Sequence, residues 1–250
     1  MADFDLDYQL IQPDPVLSDF VESFWMLANP TNVEKEVVVL PDGRFDIFFS
    51  YSINEPFHVT IAGLASEPSQ SAIAPQSIIF AISFKLLAID YLLDTTISSL
   101  VNKVDYLPND FWGITQDDLG DFSSFCTKVS SKMIGQLKGN VDERKRKLFD
   151  LIYSSEGALS VHELSESVHW NSRQINRYFS QRFGLSLKTF CTILRYKSSF
   201  TQIKEGKLFP EHYFTDQAHF IKEVKKFSGV TPKELTKNKN DRFIQFSTLP

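Results

Sequence analysis

Near residue 140 the sign of the charge reverses, and a first part that opens with strand signals gives way to a second that is helical throughout, so two different packing solutions must be joined. In the first part apolar residues recur at every second position: Phe45, Ile47 and Phe49 fall on one face of a strand. VVVLPDGRFDIFFSYS places two β-rich runs around Pro41-Asp42-Gly43, which predicts a hairpin. HVTIAGL and SIIFAISF read as further strands. From Leu86 the spacing turns helical, with Ile89, Leu92, Leu93 and Ile97 at i, i+3, i+4 and i+8. VDYLPNDFWGI reads as a loop anchored by Trp112. DDLGDFSSFCTKVSSKMIGQL reads as one helix burying Leu119, Phe122, Cys126, Val129, Met133 and Leu137. Gly139-Asn140, followed closely by the basic run Arg144 to Lys147, marks a linker. The expected fold is an α+β N-terminal domain over 1–140, a small β-barrel or sandwich-like sheet plus helices. An all-α helix-turn-helix domain over 142–238 and a C-terminal tail over 239–250 follow it.

The charge reversal sharpens this division. Residues 1–143 hold 7 Lys and Arg against 21 Asp and Glu, a net of −14; residues 144–250 hold 19 against 10, a net of +9. A basic block attached to an acidic one suits a nucleic-acid binder, although a merely solvated basic face has the same composition. The most apolar run, SIIFAISFKLLAIDYLL, carries Lys85 and Asp90, which fits a buried strand and helix better than a membrane span. Cys126 and Cys191 are the only cysteines, and MADFDLDYQL has no basic region followed by an apolar stretch. A cytoplasmic protein without membrane partners is expected.

The second block is helical throughout. Leu148, Leu151 and Ile152 define a first helix ending near Gly157; Val161, Leu164 and Val168 define a short second one, with Ser160 and Glu163 as a capping box. NSRQINRYFSQRFG then carries its own boundaries: Asn171 and Gln174 form another capping box, and Gly184 suits a left-handed stop. Ile175, Phe179 and Phe183 share the inward face. Only about three residues separate this helix from the one before it, which predicts a helix-turn-helix. Arg173, Asn176 and Arg177 share the opposite face, and no acidic residue occurs between Glu166 and Glu205. An ordinary solvated face mixes Glu with Lys, because opposite charges one turn apart support a helix. Arg can bond guanine bidentately and Asn or Gln adenine, so this face suits the DNA major groove.

Ser160 to Leu235 resembles the DNA-binding domain of the AraC family of bacterial transcription regulators. The resemblance lies in SVHELSESV, NSRQINRYFSQRFGLSLKTF, ILRYKSSF and FTDQAHFIKEVKKFSGVTPKEL. LPDGRFDIFF and YLPNDFWG resemble the N-terminal domain of one branch of that family, whose ligand is often unassigned. The resemblance implies two helix-turn-helix units on a linker helix from about Leu187 to Lys204, with Phe190, Ile193, Leu194 and Phe200 inward. Such a pair reads two major-groove segments about 34 Å apart. It implies base readers at Ser172, Arg173, Gln174, Asn176 and Arg177. On a second helix capped by Asp216, it implies Gln217, Ala218, His219 and Lys222. Lys188, Lys197, Lys225 and Lys226 are the expected phosphate contacts. Double-stranded DNA is the implied partner; a small-molecule effector in the N-terminal domain and a homodimer are left open. EGKLFPEHYF departs from the family pattern, because Gly206 and Pro210 oppose the supporting helix and Leu208 stands where a small residue belongs. His219 accordingly has a structural alternative, satisfied by a backbone carbonyl.

Rival readings are weaker. Residues 1–143 contain one histidine, His58, so the two-His-one-carboxylate set of a metal oxygenase is not available there. The sequence has no G-x-S-x-G, no Gly-rich phosphate loop and no H-E-x-x-H. No enzyme, metal or cofactor is expected. Asp42 and Asp46 read as turn and hairpin residues, Cys126 as core, and Trp25 and Trp112 as core or pocket lining. The other rival is an interaction or dimerisation module with weakened DNA binding. For it, DRFIQFSTLP would serve as a strand packed on the chain's own body or on a partner.

Overall fold

The computed structural model describes residues 6–209, 214 and 216–248. Among the described residues eight strands form two sheets, all antiparallel within each: β1 Asp7–Ile11, β2 Val21–Asn29, β3 Lys35–Val39, β4 Phe45–Tyr51, β5 His58–Ala62, β6 Ser69–Ile73, β7 Ser77–Phe84 and β8 Val104–Leu107. Six of them are ordered β1-β2-β7-β4-β5-β8; β3 and β6 pair separately. The period-two pattern separates the faces of the large sheet. Phe45, Ile47 and Phe49 of β4 are buried on one side with Phe80, Ile82 and Phe84 of β7. The helix α1, Phe122–Gln136, seals that side: Phe125 meets Phe49 and Phe80 edge-on at ring-centroid distances of 5.3 and 5.2 Å. The opposite side, carrying Asp46, Phe48 and Ser50, faces a cavity across from β3 and β6.

The predicted hairpin does not form. β3 pairs with β6, whereas β4 pairs with β5 and β7. Leu40 bonds the tail instead: its N–H donates to Gln245 Oε1 and its carbonyl accepts from Gln245 Nε2, both at 3.0 Å. With those groups occupied, Pro41-Asp42-Gly43 carries the chain from one sheet to the other. Gly43 supplies the left-handed φ of +78° that the crossing needs.

Two predicted helices are also revised. After Leu86 only a single widened turn, Ile89–Leu93, is helical, and Asp94 ends it at φ +47°. The stretch from Asp117 is split at Asp121. That residue caps α1 by accepting from Ser124 N–H at 2.7 Å, leaving Gln116–Gly120 as a short 3-10 turn.

The later residues are helical: α2 Glu143–Ser154, α3 Val161–Val168, α4 Ser172–Phe183, α5 Leu187–Ser198, α6 Phe200–Lys204, α7 Gln217–Ser228, α8 Pro232–Lys237 and α9 Ile244–Ser247. The capping boxes at Ser160–Glu163 and Asn171–Gln174 form as the sequence predicts. The expected linker helix is interrupted at buried Ser199, whose hydroxyl donates to the Tyr196 carbonyl at 2.6 Å. Gly206 to Phe209 is non-helical; Pro210 to Tyr213 of the expected departure, and Thr215 after it, lie outside the described residues. The tail is not the expected strand. Phe243 makes one parallel bridge to Val38 and α9 follows, with Phe243 and Phe246 buried.

The apolar core continues past residue 140 without a break, from the sheet through Leu148 and Phe149 of α2 to Phe179 and Phe183 of α4. Gly184, which ends α4 at φ +77°, lies against the first part of the chain: a Cβ there would sit 2.4 Å from the Ser98 carbonyl oxygen. Both the left-handed conformation and the backbone contact oppose any side chain. Gly184→Ala is expected to cost more than about 2 kcal/mol, read as a shift in urea-denaturation midpoint at constant slope.

Candidate nucleic-acid interface and the cavity behind it

Helix α3 and helix α4 are joined by His169, Trp170 and Asn171, with His169 in the left-handed conformation that turns the chain. Ile175, Phe179 and Phe183 bury one side of α4 completely. Phe179 packs on Phe149 of α2 and Phe190 of α5 at centroid distances of 5.8 and 5.7 Å. This orientation leaves Arg173 and Arg177 exposed, one turn apart. Asn176 is half-buried between them, and its Nδ2 donates to the Ser172 carbonyl at 2.9 Å. Gln174 is exposed, but its Oε1 also accepts from the Asn171 N–H at 3.3 Å. Ser172 is half-buried at the start of the helix.

Helix α5 packs against both α4 and α7. Asp216 caps α7, accepting from the His219 N–H at 2.8 Å. Gln217, Ala218, Lys222, Lys225 and Lys226 are exposed and His219 is half-buried. The His219 ring lies 3.9 Å from Glu223, and Lys226 approaches the same carboxylate at 4.0 Å. Lys188 is exposed at the start of α5.

Lys197 is a correction. Its ammonium lies 3.4 Å from Glu22 Oε1 in the lining of the cavity described below, which directs it toward that carboxylate and not toward a DNA backbone. Glu22 also holds Arg44 at 2.8 Å and Lys85 at 3.8 Å. Burial pushes the Glu22 carboxyl up, but the Arg44, Lys197 and Lys85 charges outweigh it and bring it down to about 2. Burial, reinforced by the Arg44 charge, lowers the Lys197 ammonium despite Glu22 and Asp42.

A second junction forms at Asp90. Lys145 Nζ and the Tyr178 hydroxyl donate to its Oδ2 at 2.6 and 2.7 Å, and Arg182 meets Oδ1 at 2.5 Å. Burial raises this carboxyl, yet the bonds from Lys145 and Tyr178 and the cationic charges hold it below the usual range. Asp19 takes Arg146 at 3.1 Å. Much of the basic surplus of the second part is therefore spent on the acidic surplus of the first. The C-terminal end of α4 is held too: the Thr96 hydroxyl donates to the Gln181 and Arg182 carbonyls at 2.9 Å, and the Ile97 N–H to Arg182 at 3.0 Å.

The cavity on the far side of the large sheet has a volume of about 1210 Å³. Asp46, a hairpin residue by sequence pattern, instead stands in this wall. Its Oδ1 accepts from the Ser83 hydroxyl, which accepts from Trp25 Nε1 at 3.1 Å. Burial first, then the Asp42 charge, push the Asp46 carboxyl up to about 7. Asp42 is a turn residue as expected, accepting from the Arg44 N–H at 3.0 Å. Trp25 lines the cavity, whereas Trp112 packs on Phe111 and Phe84. Cys126 is core, its thiol pushed up to about 12 by burial. No group of three metal-ligating side chains occurs among the described residues. No helix among them is long and apolar enough to cross a membrane.

The sequence reading missed Glu22, Arg44, Asp90, Tyr178 and Arg182. One signal was present: Asp90 interrupts the most apolar run of the chain, where a charge needs a partner.

Residues 9–104 match the model of a domain of unknown function, DUF6597. No curated protein matches the chain. Among solved structures it is similar to ToxT from Vibrio cholerae O395, at 12% identity over 94% of this chain and 99% of that one, with a TM-score of 0.45. A 1.65 Å structure of ToxT from Vibrio cholerae aligns at 12% identity over 92% and 97%, with a TM-score of 0.42. Wild-type ToxT from Vibrio cholerae strain SCE256 bound to an unsaturated fatty acid aligns at 14% over 94% and 96%, with a TM-score of 0.41. At these scores the likeness assigns no function.

The junction at Glu22 has a pH signature. Its carboxyl lies below the ordinary 4.5 in the folded chain, so the unfolded chain takes up the proton first as pH falls. The stabilisation is complete above about pH 4.5 and lost as pH falls through about 2. Its expected size is about 2 kcal/mol, reduced for partial exposure. Glu22→Gln should remove this component of the acid-induced fall in stability, measured by urea denaturation from pH 5 to pH 2.

Proposed function

We propose that this chain is a sequence-specific DNA-binding transcription regulator of the AraC type. An N-terminal sensory or dimerisation domain over 1–140 is joined to a DNA-binding domain over 142–238, with 239–250 as tail. The observation that carries the reading is the exposed face of α4. A helix locked by Ile175, Phe179 and Phe183 presents Arg173 and Arg177 outward with no acidic residue among them. In this reading Arg173, Asn176 and Arg177 contact base edges and Ser172 and Gln174 support them. On α7, Gln217, His219 and Lys222 read the adjoining segment, while Lys188, Lys225 and Lys226 hold phosphates. The cavity receives a small-molecule effector, whose occupancy reaches α5 through Lys197 and Glu22.

Selection of bound DNA from a random pool by the full chain, near physiological salt, tests the reading. Two enriched segments about ten base pairs apart are expected if both helices read sequence. One segment would restrict reading to α4. Binding without preference that disappears at high salt would favour an interaction module with vestigial DNA contacts. On the selected site Arg177→Ala is expected to cost about 1–3 kcal/mol and blur the preference, whereas Lys222→Ala weakens all sequences more evenly. Unchanged affinity and preference in Arg177→Ala would remove α4 from the reading role.

A further inference from the structure

The cavity wall changes chemistry in an ordered way along β4 and β7. At the end nearest the helices stand Arg44 and Lys85, joined by Lys197 from α5. These three cations share the Glu22 carboxylate, and the Asp42 charge also acts on Arg44 and Lys197. Arg44 is buried, and its Nε has no hydrogen-bond partner among the described residues. Two positions along β4 comes Asp46, about 7 Å away by strand geometry and on the same face. Asp46 has no ion-pair partner within 4 Å among the described residues; it accepts from the Ser83 hydroxyl, and the Asp42 charge raises its carboxyl more than the Arg44 charge lowers it. Next along the wall come Phe48 and Trp25, edge-on at 5.7 Å, before the polar pair Ser50 and His58.

A purely anionic ligand leaves Asp46 unmatched and is repelled by it. A purely cationic ligand matches Asp46 but meets the Arg44–Lys85–Lys197 group. An α-amino acid carries carboxylate, ammonium and side chain in the order in which the wall offers cations, carboxylate and aromatic surface. The geometry points to a binding site for a free α-amino acid with an aromatic or branched apolar side chain. Its carboxylate lies toward Arg44, Lys85 and Lys197, its ammonium on Asp46, and its side chain against Trp25 and Phe48. The volume of about 1210 Å³ admits such a molecule together with water.

The inference rests on the cavity being an effector site and not on DNA reading. Titration calorimetry of the full chain with L-phenylalanine, L-tryptophan and L-leucine tests it, with N-acetyl-L-phenylalanine and L-phenylalaninamide as masked controls. At least one free amino acid is expected to bind, and masking either end of L-phenylalanine should weaken it by about tenfold or more. Asp46→Asn should abolish discrimination against the N-acetyl compound, and Lys85→Met discrimination against the amide. Far-UV circular dichroism checks that each variant is folded. Equal binding of free and masked compounds would overturn the amino-acid assignment while keeping the cavity as a small-molecule site. No heat from any of the five at about 5 mM would overturn both. The DNA selection stands or falls separately.

Discussion

Asp90 is the contact on which the placement of α4 depends. One carboxylate receives Lys145 from α2 and Tyr178 and Arg182 from α4, and all three atoms lie within 2.7 Å. Such a group tolerates no partial loss, because removing the carboxylate leaves two cations facing each other in a half-buried space. The aromatic packing around it works in the same direction. Tyr178 packs tilted against Trp170 and edge-on against Phe183, with centroids at 5.3 and 5.4 Å, so the residue that bonds Asp90 also packs on the core beneath α4.

This arrangement gives the charge asymmetry a double meaning. The acidic first part and the basic second part are opposed in sequence because they face each other in space. Asp19, Glu22 and Asp90 neutralise Arg146, Lys197, Lys145 and Arg182. Cations not used there, such as Arg173, Arg177, Lys188 and Lys222, are exposed. Fewer free charges therefore remain than the net +9 suggests, and Arg173, Arg177, Lys188 and Lys222 lie on helices that begin with well-formed caps.

The Glu22 junction ties the cavity to α5. Arg44, immediately before β4, stacks on Tyr153 of α2 with its guanidinium 4.8 Å from the ring centre, and meets Glu22 beside Lys197. The Tyr153 hydroxyl in turn accepts from the Leu86 N–H at 3.1 Å. The end of the cavity thus meets α2 and α5 through charged and polar side chains and not through the apolar core.

Local signals determined much of this protein. Capping boxes, the glycine after α4 and the 3.6-residue apolar spacing set the helices around the turn, because each signal acts within one or two turns of chain. The period-two runs likewise identified β4, β5 and β7. Strand partners were decided only in three dimensions. β3 and β4 look like a hairpin until Gln245, some two hundred residues later, occupies the backbone of Leu40. The same holds for Lys197, whose sequence neighbourhood suits a phosphate and whose actual partner is Glu22, and for Asp46, a hairpin residue by pattern and a cavity carboxylate by position. Hydrogen bonding of caps is local and can be read along the chain. The pairing of strand edges and buried charges depends on which distant group arrives, which is a property of the packed molecule alone.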